Sequence, residues 1–221
     1  MVRHASLNLR LLALPAALFV AIVFAGAPSS GKTPQAANLS AGDKADIARI
    51  ERYLNSISTM RARFLQVAAN DELSQGWVFI SRPGKLRVEY DPPTPVLIIG
   101  DGAWLIYHDS ELEQTTYRSL ESSLAGFLVQ KTIRLGDEVT VTGLERGPGV
   151  IRVKLVKSGE AEEGSLALTF SDRPLVLRQW TMTDADGQAT QIALVNAQFG
   201  LSLDEALFEF TEPTEDESTA D

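Results

Sequence analysis

Histidine is the side chain best suited to moving a proton near neutral pH, and this 221-residue chain has two, His4 and His108. A serine nucleophile would need such an imidazole within reach of its hydroxyl and an acid to orient it. Tyr107-His108-Asp109-Ser110 brings those three residue types together. The run lies between two strand-like stretches, however, and is read as the turn of a hairpin, with His108 an exposed turn residue and Asp and Ser serving the local backbone. Paired carboxylates are the other catalytic pattern to test, since a glycosidase needs two of them across one bond. Asp109 with Glu111 and Asp184 with Asp186 are close in sequence, but both pairs fall in turn contexts. The glycine-rich piece from Gly143 to Gly149 has neither the Lys-Ser/Thr of a phosphate loop nor a helix after it, and reads as a hairpin loop. No HExxH, paired histidine or EF-hand spacing is present, and the absence of cysteine removes thiol catalysis, disulfides and cysteine-type zinc sites. The residues thus assign no catalytic group, metal site or cofactor, and the chain is expected not to be an enzyme.

Charge narrows the partners. Twenty Lys and Arg against 29 Asp and Glu give a formal net charge of −9. A phosphate-backbone binder needs a positive surplus, so no nucleic-acid partner is expected. With 44% hydrophobic residues the chain can bury a core without disulfides.

Residues 1–27 read as a secretory signal peptide: Arg3 and Arg10 without acids, an uncharged run from Leu11 to Phe24, then Ala25, Gly26 and Ala27. The apolar run is short for a membrane span, which takes about 20 residues, and cleavage falls near 25–27. Residues 28–42, rich in Pro, Ser, Gly and Ala, form a flexible lead-in, and residues 214–221 an acidic solvated tail. The folded domain is therefore expected over 43–213.

Two amphipathic helices are predicted. Asp43 is placed as the cap of the first, whose apolar residues Ile47, Ile50, Leu54 and Ile57 recur at three- and four-residue steps. The second covers about 119–131, with Leu120, Leu124, Phe127 and Leu128 on one face. The rest reads as strands near 60–68, 74–82, 85–91, 95–100, 103–108, 112–117, 137–143, 149–157, 164–171, 175–183, 189–199 and 206–211. Leu86, Val88 and Tyr90 alternate with Lys85, Arg87 and Glu89, the mark of a strand with one apolar face. The stretches 96–99 and 104–107 are apolar on both faces, so that part of the sheet must be covered twice. The fold class is mainly β (α+β): a strongly curved antiparallel sheet with helices packed on one face. Such a sheet either fills itself or encloses a cavity under a helical lid.

Arg82-Pro83-Gly84-Lys85-Leu86-Arg87-Val88-Glu89-Tyr90, then Asp101-Gly102-Ala103-Trp104-Leu105-Ile106-Tyr107, then Leu112-Glu113-Gln114-Thr115-Thr116 stand in characteristic order. With Phe64-Leu65-Gln66 before them and Phe208-Glu209-Phe210-Thr211-Glu212-Pro213 at the end, they resemble the periplasmic outer-membrane lipoprotein carrier family, LolA, over roughly residues 46–213. The resemblance implies an incomplete antiparallel β-barrel of about 11–12 strands, closed by an α-helical lid over an apolar cavity. It also implies a periplasmic chaperone and carrier of acylated lipoproteins. Its expected partners are an inner-membrane ABC-type release complex and an outer-membrane receptor, and it is expected to work as a monomer without cofactor.

Carried over by the resemblance, Arg82 is the lid-gating residue, bonded to the lid segments and linking closure to release. The cavity is assigned to Leu86, Val88 and Tyr90, with Phe64, Trp104, Ile106, Leu166, Leu168, Phe170, Trp180 and Met182 as companions. The lid face is Ile47, Ile50, Leu54, Leu120, Leu124, Phe127 and Leu128. Leu86 and Val88 stand where the family commonly has aromatic residues, which widens the groove and changes the preferred cargo. Lys85, Arg87 and Arg82 form the expected docking patch for membrane complexes. An alternative on the same scaffold is a periplasmic carrier or sensor of free lipids or other hydrophobic ligands.

Overall fold

The computed structural model describes residues 35–212 apart from Ser122, and of Leu124 and Ala125 only the backbone. The expected signal peptide and acidic tail lie outside the described residues. Helix α1 spans Ala41–Ser56, beginning inside the expected lead-in. Its cap is Ser40: the Ser40 hydroxyl accepts from Asp43 N–H at 3.1 Å while Asp43 accepts from Ser40 N–H at 2.8 Å. Asp43 is thus the third helical residue of a capping box, and not the cap itself. Upstream, Ala37 N–H donates to the Val141 carbonyl and Leu39 packs on the core.

Eleven strands follow: β1 Thr59–Val67, β2 Leu73–Ser81, β3 Lys85–Tyr90, β4 Val96–Asp101, β5 Trp104–Asp109, β6 Gln114–Ser119, β7 Val139–Gly147, β8 Val150–Lys157, β9 Gly164–Ser171, β10 Val176–Asp184 and β11 Ala189–Phe199. They form one antiparallel sheet in the order β6-β5-β4-β3-β2-β1-β11-β10-β9-β8-β7. Two meanders thus grow outward from the central β1/β11 pair, and β6 and β7 remain unpaired edges: the barrel is not closed. Opposite Ala62 the register slips, with Asn196 at φ 53° on β11. Asn tolerates this left-handed conformation, and such a bulge adds twist and bend to the middle of the sheet.

One face of most strands feeds a single core. Met60, Ala62 and Phe64 of β1 meet Val78 and Ile80 of β2, Ile151, Val153 and Leu155 of β8, and Leu166, Leu168 and Phe170 of β9. Helix α1 lies on this inner face with Ile47, Ile50 and Leu54 buried. Each such side chain contributes roughly 1.5–3 kcal/mol by leaving water. Its other face carries Arg49, bonded to Asp172 beyond β9 at 2.6 Å, and the acids Asp43 and Asp46, which meet Arg146 of β7 at 2.7 Å each. The helix is therefore anchored to the β7–β10 half.

Helix α2 covers only Leu124–Val129, capped by Ser123, in place of the longer helix expected over 119–131. Leu120 precedes it and is buried. Its carbonyl accepts from Ser123, and a Cβ on Gly126 would lie 1.8 Å from that oxygen, so the chain folds back there only because residue 126 is glycine.

The expected last strand is a 3-10 turn, Glu205–Phe208, lying against β3 and β4 on the outer face of the sheet. Phe208 is buried there, as are Ile99 and Ile106, which pair across β4 and β5 outside the main core. This is the second cover that the doubly apolar stretches demanded. Lys85 pairs with Glu205, and Arg87 donates to the Leu207 carbonyl at 3.2 Å and pairs with Glu89. Those two cations hold the C-terminal segment and are not the open docking patch expected of them. The glycine-rich piece is mostly strand, since β7 runs to Gly147 before turning.

Candidate functional site

Alternation decides what faces inward. On β3 the inner residues are Leu86, Val88 and Tyr90, and on β1 they are Phe64 and Gln66. Together with Val78 and Ile80 of β2, Ile98 of β4 and Leu105 of β5, they form one wall of an internal cavity of about 170 Å³. Leu166 of β9, Trp180 and Met182 of β10 and Ile192 of β11 form the opposite wall, and Leu128 of α2 closes it. The wall has two side-chain polar groups besides the indole, and they bond to each other: Tyr90 donates its hydroxyl to Gln66 Oε1 at 2.7 Å. Burial pushes the Tyr90 phenol above its ordinary pKa, partly offset by that bond. The Phe64 ring meets Tyr90 edge-on at 5.1 Å. Gly76 lies opposite Tyr90, and a Cβ there would stand 2.0 Å from the Glu89 carbonyl oxygen and 2.8 Å from the Phe64 ring.

Seven of the residues expected in the cavity line it: Phe64, Leu86, Val88, Tyr90, Leu166, Trp180 and Met182. Four do not. Trp104 is 49% exposed, and with Ile106 it lies on the outer face, because β5 turns the odd-numbered Leu105 inward. Two apolar faces gave that strand no parity signal. Leu168 and Phe170 are fully buried in the core instead, Phe170 meeting Tyr53 of α1 edge-on at 6.0 Å. Of the lid residues, Leu128 reaches the cavity, whereas Ile47, Ile50, Leu54, Leu120 and Phe127 are buried in the core and are not among its lining. Leu124 opens α2, and its side chain is outside the described residues. Gln66, Val78, Ile80, Ile98, Leu105 and Ile192 were missed, although period-2 alternation extends along β1 from Phe64 to Gln66 and along β11 from the buried Leu194 to Ile192.

Arg82 stands at the end of β2 and ties the lid together. Its Nη1 donates to the carbonyls of Leu54 at 2.5 Å and Ile57 at 3.1 Å, at the end of α1, and its Nε donates to the Gln130 carbonyl at 2.8 Å, just past α2. These carbonyls lie at helix ends, where the ladder runs out; that of Leu54 also accepts from the Ile57 N–H at 3.3 Å. Burial lowers the Arg82 pKa, but a guanidinium remains a cation. Around it, Asn55 brackets the Ile133 backbone with two bonds of 2.8 Å, Glu51 accepts from Leu135 N–H at 2.6 Å, and Gly84 N–H donates to the Val129 carbonyl at 2.7 Å. The 129–135 segment is thus tied to α1 and to the β2–β3 turn by polar bonds, and its Val129, Ile133 and Leu135 are buried in the core besides.

The patterns tested for catalysis dissolve into structure. His108 lies within β5 and is buried, with Nδ1 3.1 Å from Thr115 Oγ1 and its ring against Phe210, contrary to the expected turn position. Asp109 accepts from the N–H groups of Glu111 and Leu112, and Asp184 from those of Asp186 and Gln188. Among the described residues no cluster of three metal-ligating side chains occurs and no helix is long and apolar enough to cross a membrane.

The chain is similar to known proteins of one family. The family model described as outer membrane lipoprotein carrier protein LolA matches residues 55–211. The outer-membrane lipoprotein carrier protein of Azotobacter vinelandii is 30% identical over 180 residues, covering 77% of this chain and 86% of the relative. That of Legionella pneumophila (strain Lens) is 32% identical over 174 residues, covering 74% and 84%. A solved LolA superfamily protein from Nitrosomonas europaea superposes with a TM-score of 0.42 at 12% identity, covering 74% of this chain and 97% of the other. With a family match over most of the folded part and relatives of this identity, the chain belongs to the LolA family of outer-membrane lipoprotein carrier proteins.

Proposed function

We propose that this protein is a periplasmic carrier that shields the acyl chains of lipoproteins on their way from an inner-membrane ABC-type release complex to a receptor at the outer membrane. It acts by binding alone, as a monomer, with no cofactor and no covalent chemistry. The observation that carries the reading is the apolar cavity closed by Leu128 beneath a lid clasped through Arg82. Each acyl methylene left in water costs about 0.8 kcal/mol, so a long chain crosses an aqueous space only when something covers it. A recess that is apolar apart from an indole and one Tyr90–Gln66 hydrogen-bonded pair suits that cargo.

The size of the cavity adds a constraint. A void of about 150 Å³ accommodates a ligand the size of benzene, so one of about 170 Å³ is too small for a long acyl chain. Loading therefore requires the lid to move away from the sheet. Opening exchanges the polar clasp for water and the buried apolar contacts of Phe127 and Val129 for contacts with the bound chain.

The test is a release assay. Spheroplasts are incubated with the purified protein, and the soluble fraction is examined for acylated lipoprotein bound one-to-one to it. Release that depends on energised membranes supports the carrier. A protein that extracts only free lipid would replace this reading with the free-lipid carrier.

A further inference from the structure

Met182 borders two spaces. On one side is the apolar cavity. On the other is a larger open recess of about 610 Å³ lined by polar and charged side chains, the acids Glu160, Glu163 and Asp184 among them, whose aliphatic parts leave much of its wall apolar. This recess lies at the unclosed seam of the sheet, between Arg118 and Ser119 at the end of the edge strand β6 and the β10–β11 hairpin, where Thr183, Gln188 and Thr190 stand. The cap of α2, Ser123, lines it as well, so the lid helix begins at its rim.

We infer that this recess seats the polar junction of an N-terminally acylated polypeptide, namely the glyceryl ester and first peptide units, while its acyl chains fill the cavity. The inference rests on the proposed carrier reading and names where its cargo leaves the barrel. An acylated polypeptide is amphiphilic at one point. Its chains need the dry wall, but its ester and amide groups lose free energy if buried without partners. The exit must therefore adjoin the cavity, be open, and offer hydrogen-bonding groups. The recess meets all three requirements: it shares Met182, it lies where no strand closes the sheet, and hydroxyl, amide and guanidinium groups line it. Arg118 makes no ion pair among the described residues, whereas Lys157 in the same wall is already bonded to Glu160 at 2.6 Å.

The experiment places a photoreactive phenylalanine analogue at Leu128, Gln188 or Thr94, one position per full-length protein. Thr94 lines a separate surface hollow beside β3 and β4 and serves as the competing exit. Each is loaded with a synthetic triacylated lipopeptide labelled on its peptide. The expected result is crosslinking at Leu128 to the acyl part and at Gln188 to the peptide, with little at Thr94. Crosslinking at Leu128 with peptide captured at Thr94, or at neither outer position, overturns the inference and leaves the carrier reading standing. Without crosslinking at Leu128 the carrier reading itself falls. As a second measure, Gln188→Trp narrows the recess from an exposed position. It should weaken lipopeptide binding about tenfold while leaving binding of a dansylated free fatty acid within about twofold. Equal effects on both probes would overturn the inference.

Discussion

Arg82 donates from Nη1 to the Leu54 carbonyl at 2.5 Å, joining the end of a β-strand to the last turn of the helix that covers it. The same guanidinium reaches the Gln130 carbonyl with Nε. One side chain thus spans two segments of the lid. In the proposed loading step these segments separate and the bonds are lost, so they favour closure over a bound ligand. Arg82→Leu should fold and still take up a fluorescent lipopeptide, but pass it to acceptor liposomes about tenfold more slowly, because the closed state has lost its advantage. Lysine cannot fork between segments, so Arg82→Lys should restore transfer only in part. Faster deuterium uptake across residues 129–135 in both variants would locate the effect, and normal transfer by Arg82→Leu would remove Arg82 from the release step.

The cavity gives a second expectation. Val88→Glu places a carboxylate in a wall whose polar groups are already paired. Affinity for a lipid probe should fall by about tenfold or more, since burying an unpaired charge costs several kcal/mol. Trp104→Ala is the matched control, for that ring is half exposed on the outer face. Equal losses from both would mean that the probe does not occupy the cavity.

Eleven of the twelve expected strands were legible because turn residues bracket them and β-branched and aromatic residues fill them. The inner face of β3 was legible for the simpler reason that Leu86, Val88 and Tyr90 alternate with charges. What misled was apolarity without alternation. On β5, Trp104 and Ile106 looked as inward as Leu105, and the parity follows from tertiary packing, with Phe210 of the C-terminal segment set against His108 on the same outer face. Leu168 and Phe170 alternate correctly, yet they sit under α1 beyond the cavity, and pattern alone gives a face but not a position along it. The second helix failed at its boundary. Leu120 has the right spacing, but its carbonyl turns to Ser123 at the point where Gly126 comes close.

Gly76 tests the tight contact behind Tyr90. A methyl group there would meet the Glu89 carbonyl, which cannot move without breaking the β2–β3 ladder. Gly76→Ala should destabilise by about 3 kcal/mol, at the upper end of overpacking costs, read from urea denaturation at unchanged m-value. A loss below about 0.5 kcal/mol, the range of ordinary surface substitutions, would show that the ladder relaxes around it.

The C-terminal segment should matter for the sheet and not for the cavity. Phe208 is 2% exposed against the outer face, so Phe208→Ala should cost about 3–5 kcal/mol. Lipid-probe affinity of the fraction that stays folded should be unchanged, because Phe208 is not among the cavity residues. Lost affinity in a fully folded variant would tie the outer segment to the lid.

The capping box of α1 carries a pH dependence whose sign follows from its partners. Hydrogen bonds from Ser40 and Arg146 hold the Asp43 carboxyl at about 2 in the folded protein, against an ordinary value of 3.8. A carboxylate with a lowered folded pKa stabilises above its unfolded pKa, and that stabilisation disappears as pH falls through the folded one. Asp43 therefore contributes in full above about pH 5, progressively less between about pH 4 and 2, and nothing below. Asp43→Asn keeps the size but removes the charge that Arg146 meets at 2.7 Å. Its melting temperature should lie below that of the parent protein at neutral pH and converge with it on acidification toward pH 2. Because the pair is exposed, added salt should also narrow the gap. A difference that stays constant from neutral pH to pH 2 would mean that the box works through its shape and not through the Asp43 charge.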